Sequence, residues 1–230
     1  MPFTHLHTTT QAEFIAAAAD ILQSSIESAI ANDGAAIIGL SGGSTPRLVY
    51  EALGKREIDW NAVHVFLVDE RFVPANHADA NQKLIRETLL TSAKIPERNL
   101  VFPDTGLAIE DCIATYTRDL QSLWDKKLPD VVTLGLGSDG HIASLFPPLG
   151  DDALDDLKLV LHTTTDAFAV HDRISISLNA IAASGSQIVL LSGTDKKAVW
   201  EEMLGSKKDE RRWPLKRVLE GEEVVIVSCW

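Results

Sequence analysis

Four short segments of this chain carry residues able to do chemistry. In GLGSDGHIASLFPP (135–148), Asp139 and His141 stand two residues apart in a glycine-rich turn. A carboxylate at that spacing can orient an imidazole, and an imidazole titrates near neutrality, so the pair suits general acid–base work. Taken alone, the turn reads more simply as the polar start of a helix capped by Asp139. In SGGSTP (41–46), Gly42, Gly43, Ser44 and Thr45 offer backbone N–H groups, two hydroxyls and a helix start, which together favour an anion. A tight strand-to-helix turn, with Thr45 as N-cap and Pro46 as the first helical residue, serves the same residues equally well. DERFVP (69–74) places Asp69 at a strand end and Arg71 two residues on. Arg71 can pair with Asp69 at the surface or grip a phosphate through two N–H groups. GTDKK (193–197) sets Lys196 and Lys197 in a first helical turn, where the helix dipole disfavours cations unless an anion is bound. Two solvated lysines balanced by Asp195, Glu201 and Glu202 explain that turn as well. Arg173, opening RISIS (173–177), is one more cation able to face the same cleft.

Other chemistries find less support. GLSGG (39–43) fits G-x-S-x-G, but in a serine hydrolase the serine turns directly into its helix after earlier strands have built an oxyanion loop. Here Ser41 follows the first clear strand, and the helix is expected to wait for Pro46. No Walker A pattern is present. The histidines of HLH (5–7) and His141 have no partners at ligand spacing, so no metal is expected, and no cofactor either. In HADAN (77–81), Asp79 is the expected cap of the next helix, while His77 and Asn81 read as loop or capping residues.

The elements that must position these segments follow from hydrophobic periodicity. Phe14, Ala17, Ala18, Ile21, Leu22, Ile26 and Ile30 repeat at helical spacing over 10–32, opened by a Thr10/Glu13 capping box and closed by Asn32-Asp33-Gly34. Buried strands are predicted at 35–40, 63–69, 131–136, 173–178, 187–192 and 223–228. Helices are predicted after Pro46 and over 79–91, 109–125, 179–184 and 195–204. Apolar strands alternating with helices predict an α/β fold, a mostly parallel sheet covered on both faces. Ligands of such sheets bind beyond the carboxyl ends of the strands, where SGGSTP, DERFVP and GSDGH all fall.

Composition narrows the partners. Of 230 residues, 45% are hydrophobic, enough for a substantial core, and with no repeat or linker residues 1–230 read as one domain. The formal charge of −12 argues against nucleic acid and anionic membranes, so an anionic ligand needs a local cluster of cations and N–H groups. Cys112 and Cys229 form no redox or ligand spacing, MPFTHLHTTT lacks signal-peptide character, and no apolar run reads as a membrane span. A reduced, cytoplasmic protein is expected.

Taken in order, SGGSTP, DERFVP with HADAN, GLGSDGHIASLFP, RISIS and GTDK resemble the 6-phosphogluconolactonase family of the sugar-phosphate isomerase/deaminase superfamily. Each segment is weak singly, and the ordered set is specific. Related glucosamine-6-phosphate deaminases carry a similar turn followed by Phe-Asn-Glu-Pro, whereas Ser144-Leu145-Phe146-Pro147 follows here. The resemblance implies a Rossmann-like sheet and metal-independent hydrolysis of 6-phospho-D-glucono-1,5-lactone, the second step of the oxidative pentose phosphate pathway. It implies His141 as base with Asp69 and Asp139 beside it, and Arg71, Arg173, Lys196 and Gly42, Gly43, Ser44 and Thr45 holding the sugar-phosphate lactone. An isomerase or deaminase of the superfamily and a non-catalytic sugar-phosphate-binding module are the alternatives. Ile142, the VHDR approach to Arg173 and the VVIVSCW ending depart from the family pattern without removing a proposed catalytic residue.

Overall fold

The Thr10/Glu13 box forms as the spacing predicts: Thr10 Oγ1 accepts from the Glu13 N–H at 3.2 Å, and the Glu13 carboxylate accepts from the Thr10 N–H at 3.1 Å. The computed structural model in which this is seen describes residues 3–230. The described residues begin with β1 (Phe3–Thr8), which periodicity does not reveal, and the boxed helix α1 (Gln11–Asp33). Gly34 ends α1 at φ +78°, a left-handed cap that favours glycine. By length and apolar content α1 would suffice for a membrane span, contrary to expectation. Its apolar stripe of Phe14, Ala18, Leu22 and Ile26 is instead buried in the core.

There follow β2 (Ala36–Leu40), α2 (Ser44–Gly54), β3 (Val63–Leu67), β4 (Asp69–Arg71), α3 (Asn81–Glu87), α4 (Leu89–Ser92), β5 (Leu100–Val101) and α5 (Ile109–Leu123). The second half holds β6 (Val131–Leu134), β7 (Val160–Thr164), β8 (Asp172–Ile176), α6 (Leu178–Ala182) and β9 (Ser186–Ser192). It ends with α7 (Thr194–Gly205), α8 (Leu215–Val218) and β10 (Val224–Cys229). Seven strands form one parallel sheet in the order β1-β10-β9-β6-β2-β3-β5. Side chains alternate across it. Ile37, Val132, Val189 and Leu191 join the core on one face, while Ile38, Val131, Ile188 and Leu190 join the core on the other. Burial on both faces is why these strands read as unbroken apolar runs.

Three corrections concern placement. The strand predicted over 63–69 divides at Val68, whose N–H donates to Leu40 of the main sheet while its carbonyl accepts from Ile176. Asp69–Arg71 thereby leaves the parallel sheet, and the predicted strand at 173–178 leaves with it, in a separate antiparallel sheet ordered β4-β8-β7. The helix predicted over 79–91 breaks at Thr88 into α3 and α4. After β2 the chain runs to α2 on one face, and after β6 it runs to Ile142 and Leu145 on the other. The crevice between the ends of these two neighbouring strands is a topological switch point, where doubly wound sheets bind ligands.

Candidate active site

The turn after β6 is closed by its own backbone. The Gly137 N–H donates to the His141 carbonyl at 2.8 Å and the Gly140 N–H to the Gly137 carbonyl at 3.0 Å. Residues 141–150 form turns and bends with no helix, so the helix-start reading is overturned. Asp139 Oδ1 instead accepts from the His141 backbone N–H at 3.2 Å and stands 2.5 Å from ring Nδ1. The carboxylate partner assigns the proton to Nδ1 and leaves Nε2 as the basic nitrogen. Burial raises the Asp139 carboxyl, but the hydrogen bond and charge of the His141 ring and the backbone N–H outweigh it, holding the group below its ordinary range. From far along the chain, Arg212 Nη1 donates to the Asp139 carbonyl at 2.9 Å while its guanidinium lies 3.7 Å over the Trp213 ring.

Asp69 does not hydrogen-bond the imidazole, so the orienting role falls to Asp139. Asp69 Oδ2 accepts from Ser144 Oγ at 2.7 Å, and Asp69 Oδ1 and its backbone carbonyl accept from Asn81 Nδ2 at 3.3 and 2.8 Å. Asn81 also seats the loop after β2, for a Cβ on Gly42 would lie 1.8 Å from Asn81 Oδ1. The start of α3 is held by Glu70, not by the expected Asp79. Glu70 is fully buried, and its carboxyl accepts from the backbone N–H groups of Arg71, Asn81 and Gln82 at 2.7 to 2.8 Å. Burial pushes this carboxyl up to about 7, against the pull of those three donors.

The cations gather without carboxylate partners. Arg71 and Arg173 are opposite each other on β4 and β8, and among the described residues neither they nor Lys196 makes a salt bridge, whereas Lys197 pairs with Glu201 at 3.9 Å. Arg71 Nη1 donates to the Asp79 carbonyl at 2.7 Å. Burial first, then the charge of Arg71, lowers the Arg173 guanidinium from its ordinary value. Like charges on opposed strand positions are unfavourable, and an anion between them relieves the conflict. The α2 helix starts at Ser44 with Gly43 as N-cap at φ +103°, so Thr45 is no cap and Pro46 sits third in the helix. No side chain caps its first N–H groups, and α7 likewise opens on Gly193 at φ +101° without a side-chain cap. Uncapped helix starts are suited to an anion.

These parts meet in a cavity of about 340 Å³, lined by the 41–46 loop, Asp69, Arg71, residues 135–138, His141, Phe168 and Lys196. Of the sequence-identified residues, Asp139 supports the wall from behind through His141. Arg173 stands outside the lining, opposite Arg71 and 6.0 Å from the rings of Phe146 and Phe168. Ser41 does not act as a hydrolase nucleophile would: it is buried, and its hydroxyl lies 3.4 Å from Thr133 Oγ1, not at a histidine. Ser144, Glu70, Arg212 and Phe168 were not singled out by the sequence as site residues. A larger groove of about 710 Å³ along β7 holds none of the proposed catalytic residues.

Fold and site together define a doubly wound α/β protein whose strand-end cleft joins an aspartate-paired histidine to a glycine-rich loop at an uncapped helix start. The family model for glucosamine-6-phosphate isomerases/6-phosphogluconolactonase matches residues 9–227, and the chain belongs to that family. It is similar to a probable 6-phosphogluconolactonase of Dictyostelium discoideum, 43% identical over 188 residues and 80% of each chain. It is also similar to the 6-phosphogluconolactonase of Neisseria meningitidis serogroup A, 34% identical over 93% of this chain and 92% of that one. The crystal structure of 6-phosphogluconolactonase from Thermotoga maritima superposes with a TM-score of 0.88 at 28% identity, covering 99% of this chain and all of the other.

Proposed function

We propose that this protein hydrolyses 6-phospho-D-glucono-1,5-lactone to 6-phospho-D-gluconate, with His141 as general base and then general acid. The observation that carries the mechanism is the shared cavity. The Asp139-paired imidazole opens onto the same space as the uncapped 42–45 loop and the unpaired Arg71 and Lys196. His141 Nε2 takes a proton from water as the water oxygen bonds to C1. The carbonyl electrons move onto oxygen, giving a tetrahedral oxyanion. When the oxyanion collapses, the bond from C1 to the ring oxygen breaks and the imidazolium returns its proton to that oxygen. General acid–base action of this kind is worth on the order of 10² to 10⁴ in rate.

The phosphate is assigned to Gly42, Gly43, Ser44 and Thr45 with Lys196 and Arg71, and Arg173 adds positive potential at the Arg71 side. Asp69, in the same lining and joined to the 42–45 loop through Asn81, is assigned to accept from a substrate hydroxyl. Binding energy gained at the phosphate, remote from C1, is then available to align the carbonyl with Nε2. Backbone N–H groups of the glycine turns are assigned to the oxyanion. No step draws on a metal or cofactor, and the protein is placed in the cytoplasm with its small-molecule substrate. The test is acid release from the lactone, corrected for spontaneous hydrolysis, in wild type and His141→Ala side by side. Wild type is expected to exceed the spontaneous rate and His141→Ala to lose at least about 10²-fold in kcat. A folded His141→Ala protein with wild-type turnover would remove His141 from the reaction.

A further inference from the structure

Asp139 restrains the His141 ring at one atom only, Nδ1. A ring held through Nδ1 can still swing about that hydrogen bond and carry Nε2 away from a bound carbonyl. Two phenylalanines fill the space in which it would swing. Phe146 stands 4.8 Å from the imidazole between centroids, with 53° between planes. Phe168 stands 5.3 Å away and nearly perpendicular, at 80°. The two phenyl rings are 6.0 Å apart, and the Arg173 guanidinium carbon lies 6.0 Å from each.

Phe168 comes from the tip of the β7–β8 hairpin, far from His141 in the fold's connectivity. The tip is tied at its base. Arg173 Nε donates to the Val170 carbonyl at 2.9 Å, and the Thr165 N–H donates to the His171 carbonyl at 3.1 Å. Residue Phe168 is nonetheless 37% exposed while lining the cavity. An exposed phenyl ring at a hairpin tip contributes little burial, and here its contacts are with the imidazole, Phe146 and Arg173. Aromatic faces also favour a cation, the state His141 passes through after taking its proton.

We propose that Phe168 is a positioning residue for the hydrolysis: with Phe146 it clamps the His141 ring so that Nε2 faces the lactone carbonyl, and it screens that ring from bulk solvent. The clamp's effect on rate rests on the lactonase reading above; its effect on the access of reagents to His141 does not. The loss of one aromatic contact corresponds to a rate effect of roughly two- to tenfold. Phe168→Ala is therefore expected to lower kcat about fivefold, with KM within about twofold because the phosphate-binding groups are untouched. Phe168→Tyr, which keeps the ring, is expected to restore kcat to within about twofold.

The second readout is carbethoxylation of His141 by diethyl pyrocarbonate, followed by peptide mass spectrometry with exposed His77 as internal reference. Phe168→Ala is expected to raise the His141 rate, and Phe168→Tyr to return it to the wild-type value. Wild-type kcat together with a wild-type modification rate in Phe168→Ala overturns the clamp. A raised KM at unchanged kcat also overturns it, reassigning Phe168 as a substrate contact. Should Phe168→Ala lose its native circular dichroism, Phe168→Leu carries the same comparison with the aromatic ring removed and the apolar bulk kept. If wild type shows no lactone hydrolysis above background, the lactonase reading fails, and the His141 modification rates still decide the clamp.

Discussion

Gly137→Ala tests the active-site geometry with a single methyl group. A Cβ at position 137 would lie 2.1 Å from His141 Nδ1, 2.2 Å from Cε1 and 2.7 Å from Asp139 Oδ1. Ordinary contact begins near 3.4 Å, so the imidazole must retreat by about 1.3 Å or the carboxylate must let it go. Gly137 does not have a positive φ, so the alanine itself meets no left-handed strain. The damage is thus directed at the His141–Asp139 pair. A displacement of about 1 Å in a reacting group costs on the order of 10² in rate. Lactone hydrolysis, followed by acid release and corrected for the spontaneous reaction, is expected to show kcat about 10²-fold down and KM within about threefold. Thermal unfolding is expected to stay close to wild type, since one half-exposed hydrogen bond is at stake and no core residue moves. Gly140→Ala in the same turn should behave differently. Its φ is +92° and its Cβ would lie 2.7 Å from Arg212 Nη1 and from the Trp213 ring, so stability falls along with rate. A Gly137→Ala enzyme that keeps more than a third of wild-type kcat would refute the claim that a carboxylate-oriented imidazole performs the chemistry.

Lys196→Ala is expected to raise KM for the phosphorylated lactone about tenfold, the worth of one charge-assisted contact, whereas Lys197→Ala, which loses only an exposed pair with Glu201, leaves it unchanged. Equal effects from the two lysines would dissolve that distinction. Glu70 provides a test in stability rather than rate. Its carboxyl is raised from 4.5 to about 7, so the native state holds this proton more tightly than the unfolded chain does. The stabilisation is complete below about pH 4.5 and is lost as pH rises through 7, a change on the order of 3 kcal/mol. Urea unfolding of wild type and Glu70→Gln at pH 4.5 and pH 8 should show the wild-type advantage shrinking by about that amount. An advantage that grows with pH would mean that the three backbone N–H donors, not burial, dominate the Glu70 environment.

The elements legible in the sequence are those whose burial imposes a period. Strands β2, β3, β6, β9 and β10 are covered on both faces and read as apolar runs, and α1 carries both its capping box and its stripe. The elements that escaped have no such signature. In β1 four of six residues are exposed, so FTHLHT shows no apolar run. In β4 the sequence Asp-Glu-Arg is a strand whose identity lies in its pairing with β8 and in the burial of Glu70, neither of which is local. Strand β8 was legible as a strand but not as a member of the small sheet. Its apolar pattern is the same whichever sheet receives it, and the decision is made at Val68, which bonds both.

The site divides along the same line. Asp139 and His141 were legible as a pair because two residues and a glycine turn are enough to bring them together. Gly42, Gly43 and Lys196 were legible because helix starts have a local chemistry of their own. What the sequence could not rank was Asp69 against Asp139, since the deciding partner of Asp69 is Ser144, 75 residues away. Arg212, which braces the Asp139 carbonyl from 73 residues downstream, has no local sign at all. Arg173 shows how the two kinds of information interact. Its charge at a strand start suggests the cleft, and the structure sets it opposite Arg71 but outside the cavity lining, 6.0 Å from phenyl rings that come from the turn after β6 and from the β7–β8 hairpin. A cation's place in the chain therefore gives its neighbourhood, and the packing of other segments determines whether it lines the cavity.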